Sequence, residues 1–341
     1  MKAIILAGGY ATRLWPITRE RSKVFLPIGK KTILDFVYEK VKKLNIPIIV
    51  STNEFFEEDF IEWAKDKDVK LAIEKTIKEE EKLGAVRALA QLAKDIDDEL
   101  FIIAGDNLFT FELTDFLGYY NDVNAPVTAL YDVKSMDLAK RYGIAELEGD
   151  RIIRFHEKSE TPPTTMAGIA MYILPKDSVK ILLNYVKENK KVDNLGDFVS
   201  FLSEKTNVFG YSFSEGSWHD IGSPDSYIDS LKTYMETYIG DCETSYSCKY
   251  SCKIIEPVVI EDKSVIKGKS VIGPYTYIGK GCEIDESSIT NSVIFDNTSI
   301  TKSFLDKSLV DSKCKLFGIK ISNSAIGAYS KINKILKICS F

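Results

Sequence analysis

An α/β domain built on an open, largely parallel sheet, followed by a parallel β-helix, is the architecture that this sequence predicts. Three observations predict it. Up to about Tyr238, short β-branched or aromatic runs alternate with amphipathic stretches. From about Ile254, isoleucines recur every six residues. The charge balance also changes along the chain: residues 1–240 hold 31 basic and 39 acidic side chains, residues 241–341 hold 14 and 11.

In the first part, Ala3–Leu6, Pro47–Ser51, Val69–Ile73, Leu100–Ala104 and Val127–Tyr131 have the compact apolar character of buried strands. Ile33–Leu44, Phe55–Lys65 and Ala85–Asp95 space their apolar residues by three and four, as helices do. Strand–helix alternation implies a parallel sheet covered on both faces. After Ala125 strands crowd together at Ile144–Leu147, Ile152–Phe155, Ala167–Ile173 and Val208–Phe213. They predict an antiparallel extension over the carboxyl edge of the sheet, where open α/β folds bind ligands.

In the second part, Ile260, Ile266, Ile272, Ile278 and Ile284 keep a strict period of six, and four positions after each stands Ser264, Ser270, Thr276, Cys282 or Ser288. The phase then slips and resumes at Ile294 and Ile300, at Val310 and Leu316, and at Ile326, Ile332 and Ile338. A helix of 3.6 residues per turn would carry such a stripe around its cylinder. A solenoid of triangular coils instead puts the aliphatic residue inside and the small one at a corner. The expected organisation is thus a domain over 1–240, a linker over 241–253 and four to five coils over 254–341. Phe295, Phe304 and Phe317 fall outside the interior positions, so they either lie on an outer face or fill the core where the phase slips. The tail is expected to serve assembly into a homo-oligomer and stability, with no active site of its own.

Composition excludes several classes. With 45% hydrophobic and 28% charged residues the chain has the apolar material for a core, unlike a disordered one. A net charge of −5 argues against a nucleic-acid partner. The sequence has no apolar run long enough for a membrane span. The opening Met1–Gly9 is too short in its apolar part for a signal peptide, so a cytoplasmic protein is expected. Six cysteines do not make a disulfide scaffold. Cys242, Cys248 and Cys252 cluster with no histidine nearby and match no zinc spacing; whether they pair is open.

The sharpest local feature is Leu6-Ala7-Gly8-Gly9-Tyr10-Ala11-Thr12-Arg13-Leu14, followed by Pro16 and Lys23. Glycines after a first strand let backbone N–H groups approach a polyphosphate. Arg13 can grip phosphate oxygens in a fork, and Lys23 adds a compact charge. The plain alternative is a tight turn with Arg13 in solvent. Gly29-Lys30-Lys31-Thr32 imitates the end of a P-loop, but Val24 stands where that loop needs glycine. Asp106 ends the buried run Phe101–Gly105, so it points toward the ligand edge and can offer a hard oxygen to Mg²⁺; a turn or helix-cap role would suit it equally.

The opening nonapeptide resembles the signature of the sugar-1-phosphate nucleotidylyltransferases. Gly105-Asp106, Tyr142-Gly143, Glu157-Lys158, Ala167-Gly168 and Trp218-His219-Asp220-Ile221-Gly222 are similar to that family's later motifs, in the same order. The resemblance covers about 230 residues, and the tail resembles the left-handed β-helix that many members carry. It implies a Rossmann-like nucleotidyltransferase domain with a mixed sheet, which joins an NTP to a sugar 1-phosphate, UTP or dTTP and glucose 1-phosphate being favoured. Leu6, Ala7, Gly8, Gly9, Thr12, Arg13, Lys23 and Gly84 are implied to hold the nucleotide. Gly143, Glu157, Lys158 and Gly168 are implied to hold the sugar phosphate, and Asp220 to join Asp106 on Mg²⁺. In-line attack by a phosphate oxygen asks little covalent chemistry of the protein, so His156 and His219 need no role as bases. Ala11 stands where the family prefers glycine, Ser22 and Thr32 where it prefers proline, and Ser159 replaces the proline usual after Glu-Lys. If position 11 needs a positive φ, its methyl group costs stability. Ile73-Glu74 occupies about the place of a base-reading glutamine. Two rivals remain: a non-catalytic regulatory subunit of the same fold, and a bifunctional enzyme whose β-helix transfers an acyl group, which the absence of histidine from residues 241–341 disfavours.

Overall fold

The computed structural model describes residues 1–78, 83–189, 194–239, 243–244, 247–248 and 252–334. The chain packs as two compact units, one of Met1–Gly9 and Leu34–Trp218, the other of Tyr10–Ile33 and His219–Phe341. The segment after the glycines is therefore grouped with the C-terminal half.

The first unit is built on nine strands: β1 (Lys2–Leu6), β2 (Ile48–Asn53), β3 (Lys70–Glu74), β4 (Leu100–Ala104), β5 (Val127–Asp132), β6 (Gly143–Glu148), β7 (Arg151–Glu157), β8 (Met166–Leu174) and β9 (Val208–Ser212). Their order in the sheet is β3-β2-β1-β4-β8-β5-β9-β7-β6. The first four run parallel, with Ile4 opposite Ile49 on one side and Ile102 on the other. The late strands do not form a separate layer over the carboxyl edge. β8 enters the same sheet antiparallel to β4 and β5, and β7 and β6 complete its far side. The sheet bends enough for Ala167 of β8 also to pair with Ile144 of β6.

Ala3, Ile4 and Ile5 of β1 are all fully buried, as both-face coverage requires. The helices Ile33–Lys42, Glu57–Ala64 and Ala85–Ala93 form where their apolar spacing places them. Thr114–Val123, Lys176–Glu188 and Leu195–Ser203 add helices that the sequence reading leaves out. Val86, Leu89, Leu182 and Phe198 from three of these helices pack on Ile4, Ile102 and Ile152 in one continuous core.

In the second unit, the described residues from Glu243 onward wind into a left-handed parallel β-helix with three sheets of six, six and five strands. Strands Glu243–Thr244 and Ser247–Cys248 already pair with Val258–Ile260 and Val265–Lys267, so coil structure begins inside the stretch expected to be linker. Ile260, Ile266, Ile272, Ile278 and Ile284 are fully buried in its interior.

The phase slip has a structural cause. Val258 pairs with Thr276, eighteen residues on, but Tyr277 pairs with Val293, sixteen on, and that shorter coil then persists. Interior residues accordingly follow as Ile284, Ile289, Ile294, Ile300, Leu305, Val310 and Leu316, so Ile289 and Leu305 escape a count by sixes. Each short corner is turned by one left-handed residue: Glu286, Asn291, Asn297, Lys302, Lys307 and Lys313 have φ between 45° and 61°. A small residue follows each. Ser270 Oγ accepts from Ser287 N–H at 3.2 Å, Ser287 Oγ from Ser303 N–H at 3.1 Å, and Ser303 Oγ from Ile319 N–H at 3.2 Å. These rungs satisfy corner amides that the sheets do not reach.

The corner residue is therefore Ser287 where the period of six indicates Ser288, which instead opens the strand Ser288–Thr290. Ile332 is 38% exposed at the last coil, and Ile338 lies outside the described residues. Phe295 is buried, whereas Phe304 and Phe317 are exposed on the outer surface. Cys252 is disulfide-bonded, and Cys282 and Cys314 are free corner residues. Gly29-Lys30 joins the paired strands Pro27–Ile28 and Lys31–Thr32 as a hairpin turn, with no P-loop character.

Ile289→Ala is expected to cost about 2–5 kcal/mol, because it empties a closed interior position. Lys302→Gly is expected to be neutral or to stabilise by up to about 1 kcal/mol, because glycine adopts φ > 0 without a Cβ penalty. Denaturant unfolding of the two variants against the wild-type chain checks both.

Candidate active site

The chain leaves β1 for β2 on one side, while β4 flanks β1 on the other. The carboxyl ends of β1 and β4 thus form a switch point, the place where open α/β sheets bind ligands. The loops there are tied through the backbone. Gly105 N–H donates to the Leu6 carbonyl at 2.8 Å, and Ala7 N–H to the Ser51 carbonyl at 2.8 Å. A Cβ on Gly105 would come within 3.1 Å of Ile5 Cγ2 and 3.2 Å of the Leu6 carbonyl oxygen, so this glycine permits the close approach. Asn53 Nδ2 donates to the Gly8 carbonyl at 2.9 Å, and its Oδ1 accepts from Phe56 N–H at 3.2 Å. Asn53 is buried and shapes the glycine loop; the sequence reading missed it, because asparagine at a strand end looks like an ordinary turn residue. Gly9 faces open space among the described residues. Asp106 follows, half-buried.

One strand further out, Glu74 lies opposite Asn53 in register. Its Oε1 accepts from Leu83 N–H at 2.8 Å and from Thr76 Oγ1 at 3.4 Å. Gly84, at φ 84°, turns the chain into the helix Ala85–Ala93. A cavity of about 420 Å³ runs between this helix and β2–β3, lined by Ser51, Ala72, Glu74, Leu83, Ala88 and Gln91 among others.

At the far side of the sheet Gly143 of β6 pairs with Glu157 of β7. Glu157 Oε2 lies 2.8 Å from where a Gly143 Cβ would stand and 3.0 Å from a Gly196 Cβ. Two glycines thus make room for one carboxylate, and Gly196, which no motif marks, lies against the same carboxylate as Gly143. The space beside Gly168 is filled by the Phe155 ring, whose Cζ would be 2.5 Å from an added Cβ. Lys158 adopts φ 45°, donates its N–H to the Tyr142 carbonyl at 3.1 Å, and carries Nζ 3.6 Å from Glu157 Oε1. Its side chain is otherwise exposed.

The second unit holds the rest of the predicted residues. Ala11 lies in the left-handed region, φ 51° and ψ 43°, at the head of the short helix Thr12–Leu14. Its carbonyl accepts from Leu14 N–H at 2.9 Å and Thr18 Oγ1 at 2.8 Å. The position does require a positive φ. Arg13 Nη2 and Asp220 Oδ2 stand 3.1 Å and 3.2 Å from the place of a Gly222 Cβ, and Lys23 Nζ donates to the Ile221 carbonyl at 3.2 Å. Arg13, Lys23 and Asp220 are thus brought together around residues 220–222. His219 Nε2 lies 2.9 Å from Thr233 Oγ1, and burial holds its pKa below the usual histidine value against the opposing pull of Asp229. Ser22 is buried with a hydroxyl that finds no hydrogen-bond partner among the described residues.

Asp106 belongs to the first unit and Asp220 to the second. Among the described residues no three histidine, cysteine, aspartate or glutamate side chains gather as a metal group. Carboxylate oxygens are the donor type Mg²⁺ takes, usually one or two of them with substrate phosphates completing its shell. No helix of the described residues is long and apolar enough to cross a membrane.

A mixed α/β sheet with a glycine loop at its switch point, in a chain that ends in a β-helix, is the build of a nucleotidyltransferase. The chain belongs to the nucleotidyl transferase family, whose model matches residues 2–237; residues 254–338 match the GMPPB C-terminal domain. It is 28% identical over 337 residues to the bifunctional protein GlmU of Methanococcus maripaludis, covering 92% of this chain and 78% of that one. It is 30% identical over 325 residues to a bifunctional sugar-1-phosphate nucleotidylyltransferase/acetyltransferase of Sulfurisphaera tokodaii, covering 88% and 76%. A crystal structure of UDP-glucose pyrophosphorylase complexed with UDP-glucose shares the fold, with a TM-score of 0.60 at 21% identity over 69% of this chain and 98% of that one.

Two loop positions yield a test. Ala11→Gly removes a left-handed alanine and is expected to stabilise by about 1 kcal/mol. Ser22 has φ −65°, the value proline imposes, so Ser22→Pro is expected to stabilise by about 0.5–1 kcal/mol while removing a buried hydroxyl that has no partner among the described residues. Calorimetric melting of each variant reads the shift; a lowered melting temperature for both would contradict the strain argument.

Proposed function

We propose that the protein joins a nucleoside triphosphate to a hexose 1-phosphate and releases pyrophosphate. An oxygen of the sugar phosphate attacks the α-phosphorus in line, and the bond from that phosphorus to the bridging oxygen of the β-phosphate breaks. The nucleophile is already an anion, so no base is required. The observation that carries the reading is the convergence of Arg13 and Lys23, from the segment that follows the glycine loop, with Asp220 around residues 220–222. Arg13 and Lys23 bind the β- and γ-phosphates and neutralise the charge that grows on the leaving group. Leu6, Ala7, Gly8, Gly9, Thr12 and Gly84 line the nucleotide. Lys158 orients the attacking phosphate, with Glu157, Gly143 and Gly168 at the sugar. Asp106 and Asp220 are the proposed Mg²⁺ ligands; the ion, when bound, offsets phosphate charge.

Glucose 1-phosphate with UTP or dTTP is the first pairing to test, on the family resemblance. Glu74 favours a second reading for the base. A carboxylate only accepts hydrogen bonds. Guanine presents two adjacent donors, N1–H and N2–H, whereas uracil and thymine present one between two acceptors. GTP is the nucleotide that Glu74 suits.

The experiment is pyrophosphate release with a panel of four NTPs and several hexose 1-phosphates. Arg13→Ala and Asp106→Asn are expected to lower kcat/KM by about 10²-fold or more. Glu74→Gln is expected to shift preference from GTP toward UTP or dTTP. No pyrophosphate from any pair would favour the regulatory-subunit reading, and an unchanged base preference in the Glu74 variant would remove the guanine reading. Association of copies through the outer faces that bear Phe304 and Phe317 belongs to the same proposal. Light scattering is expected to give a mass above the monomer for the full chain, and a monomer would refute this part.

A further inference from the structure

Gly279, Phe295, Asp311 and Gly327 stand sixteen residues apart and mark one edge of the β-helix, each coil resting on the next: Gly279 N–H donates to the Ile294 carbonyl, Phe295 N–H to Val310, and Asp311 N–H to Ile326. This edge is not bare. Pro16 packs on Gly327 so closely that an added Cβ there would stand 3.1 Å from Pro16 Cβ. The Arg21 guanidinium lies 4.7 Å over the centroid of the Phe295 ring and donates from Nη2 to Asp311 Oδ1 at 2.5 Å. Asp311 is 4% exposed, and the same oxygen accepts from Ser312 N–H at 2.7 Å. Burial pushes the Asp311 carboxyl above its ordinary pKa and Glu20 adds to that, while Arg21 and the Ser312 hydrogen bonds oppose it. A buried carboxylate without its guanidinium is an unpaired charge, so the two groups need each other.

Sequence places this contact against the reactive segment. Pro16 is three residues after Arg13, and Arg21 two before Lys23. Leu14, Ile17, Thr18, Ser22 and Val24 between and around them are buried, so the stretch is packed along most of its length. We propose that Arg21 and Asp311, with the Phe295 ring, are positioning residues for the nucleotide: the edge of the β-helix holds the stretch that carries Arg13 and Lys23 at the spacing a polyphosphate requires. The inference rests on the reading of Arg13 and Lys23 as phosphate ligands. It assigns the β-helix a part in the nucleotide step, beyond the assembly and stability expected of it. It also accounts for a buried Asp–Arg pair where an all-apolar edge would pack with less desolvation.

The test uses the full chain with Asp311→Asn and Arg21→Lys, each measured in two ways. Asn keeps the shape of the carboxyl group but not its charge, and Lys keeps the charge but loses the planar fork and its stacking on Phe295. In steady-state pyrophosphate release, both variants are expected to raise the KM for the NTP about tenfold and to leave the KM for the sugar phosphate unchanged; a misplacement of about 1 Å can cost up to about 10²-fold. In amide hydrogen exchange, residues 10–33 are expected to exchange faster in both variants, with the nine-stranded sheet unaffected. Faster exchange with an unchanged KM for the NTP would reduce the pair to structural support and overturn the proposal, as would no change in either measurement. A wild-type chain that releases no pyrophosphate with any NTP would instead remove the phosphate reading itself, and the positioning role with it.

Discussion

Parallel pairing of β1 with β4 is the constraint on which the glycine-loop edge of the first unit depends. Parallel neighbours end on the same edge, so the turns that leave them must share one small volume. The bond from Gly105 N–H to the Leu6 carbonyl closes that volume, and a side chain at position 105 would force it open. Everything next to it follows in register. Ser51 of β2 takes the Ala7 amide, Asn53 takes the Gly8 carbonyl, and Glu74 of β3 lies opposite Asn53 and holds the Leu83 amide ahead of Gly84. A run of polar groups from three strand ends is thereby aligned at one edge without any of the strands carrying a recognisable motif beyond the glycines.

The β-helix meets a different constraint, the need to turn a strand three times per coil while leaving no amide unsatisfied. Left-handed corner residues make the turn short, and small residues after them, such as Ser287 and Ser303, take an amide of the next coil. Asparagine tolerates this conformation better than lysine or glutamate. Three of these corners nevertheless use lysine and one uses glutamate, with their side chains toward solvent, so the solenoid carries strain of its own in exchange for a charged surface. Similar strain sits in the segment after the glycine loop. Ala11 is left-handed and Ser22 buries a hydroxyl with no hydrogen-bond partner among the described residues, so two of the family departures in this segment coincide with a local cost.

Charge is distributed in the same spirit. The half of the chain with the glycine loop carries a net acidic balance, and several of its lysines are paired with carboxylates, as Lys40 and Lys43 are with Glu112 and Lys67 with Asp35. Arg13 and Lys23 meet at residues 220–222, and Arg21 is committed to Asp311. A net negative protein can still take a polyphosphate when its cations are concentrated where the anion binds, because short-range charge–charge terms outweigh the screened remainder.

Much of this was legible in the residues. Hydrophobic period and length identified β1 to β4 and three helices to within a few positions, since each is a local pattern that burial on both faces enforces. The interior isoleucines of the first coils were equally plain. The glycine loop with Arg13 and Lys23 stood out because those residue types in that order are what a phosphate site would use; the structure brings Arg13 and Lys23 together around residues 220–222. Tertiary structure alone decided the rest. β8 enters the middle of the sheet antiparallel, a choice between edges that no local pattern encodes. The coil shortens from eighteen residues to sixteen at corners whose φ depends on the coils they stack upon. Asn53, Gly196 and the Arg21–Asp311 pair acquire their roles from partners between 39 and 290 positions away. Spacing along a chain specifies which side chains share a face; which faces meet is settled only when the whole core closes.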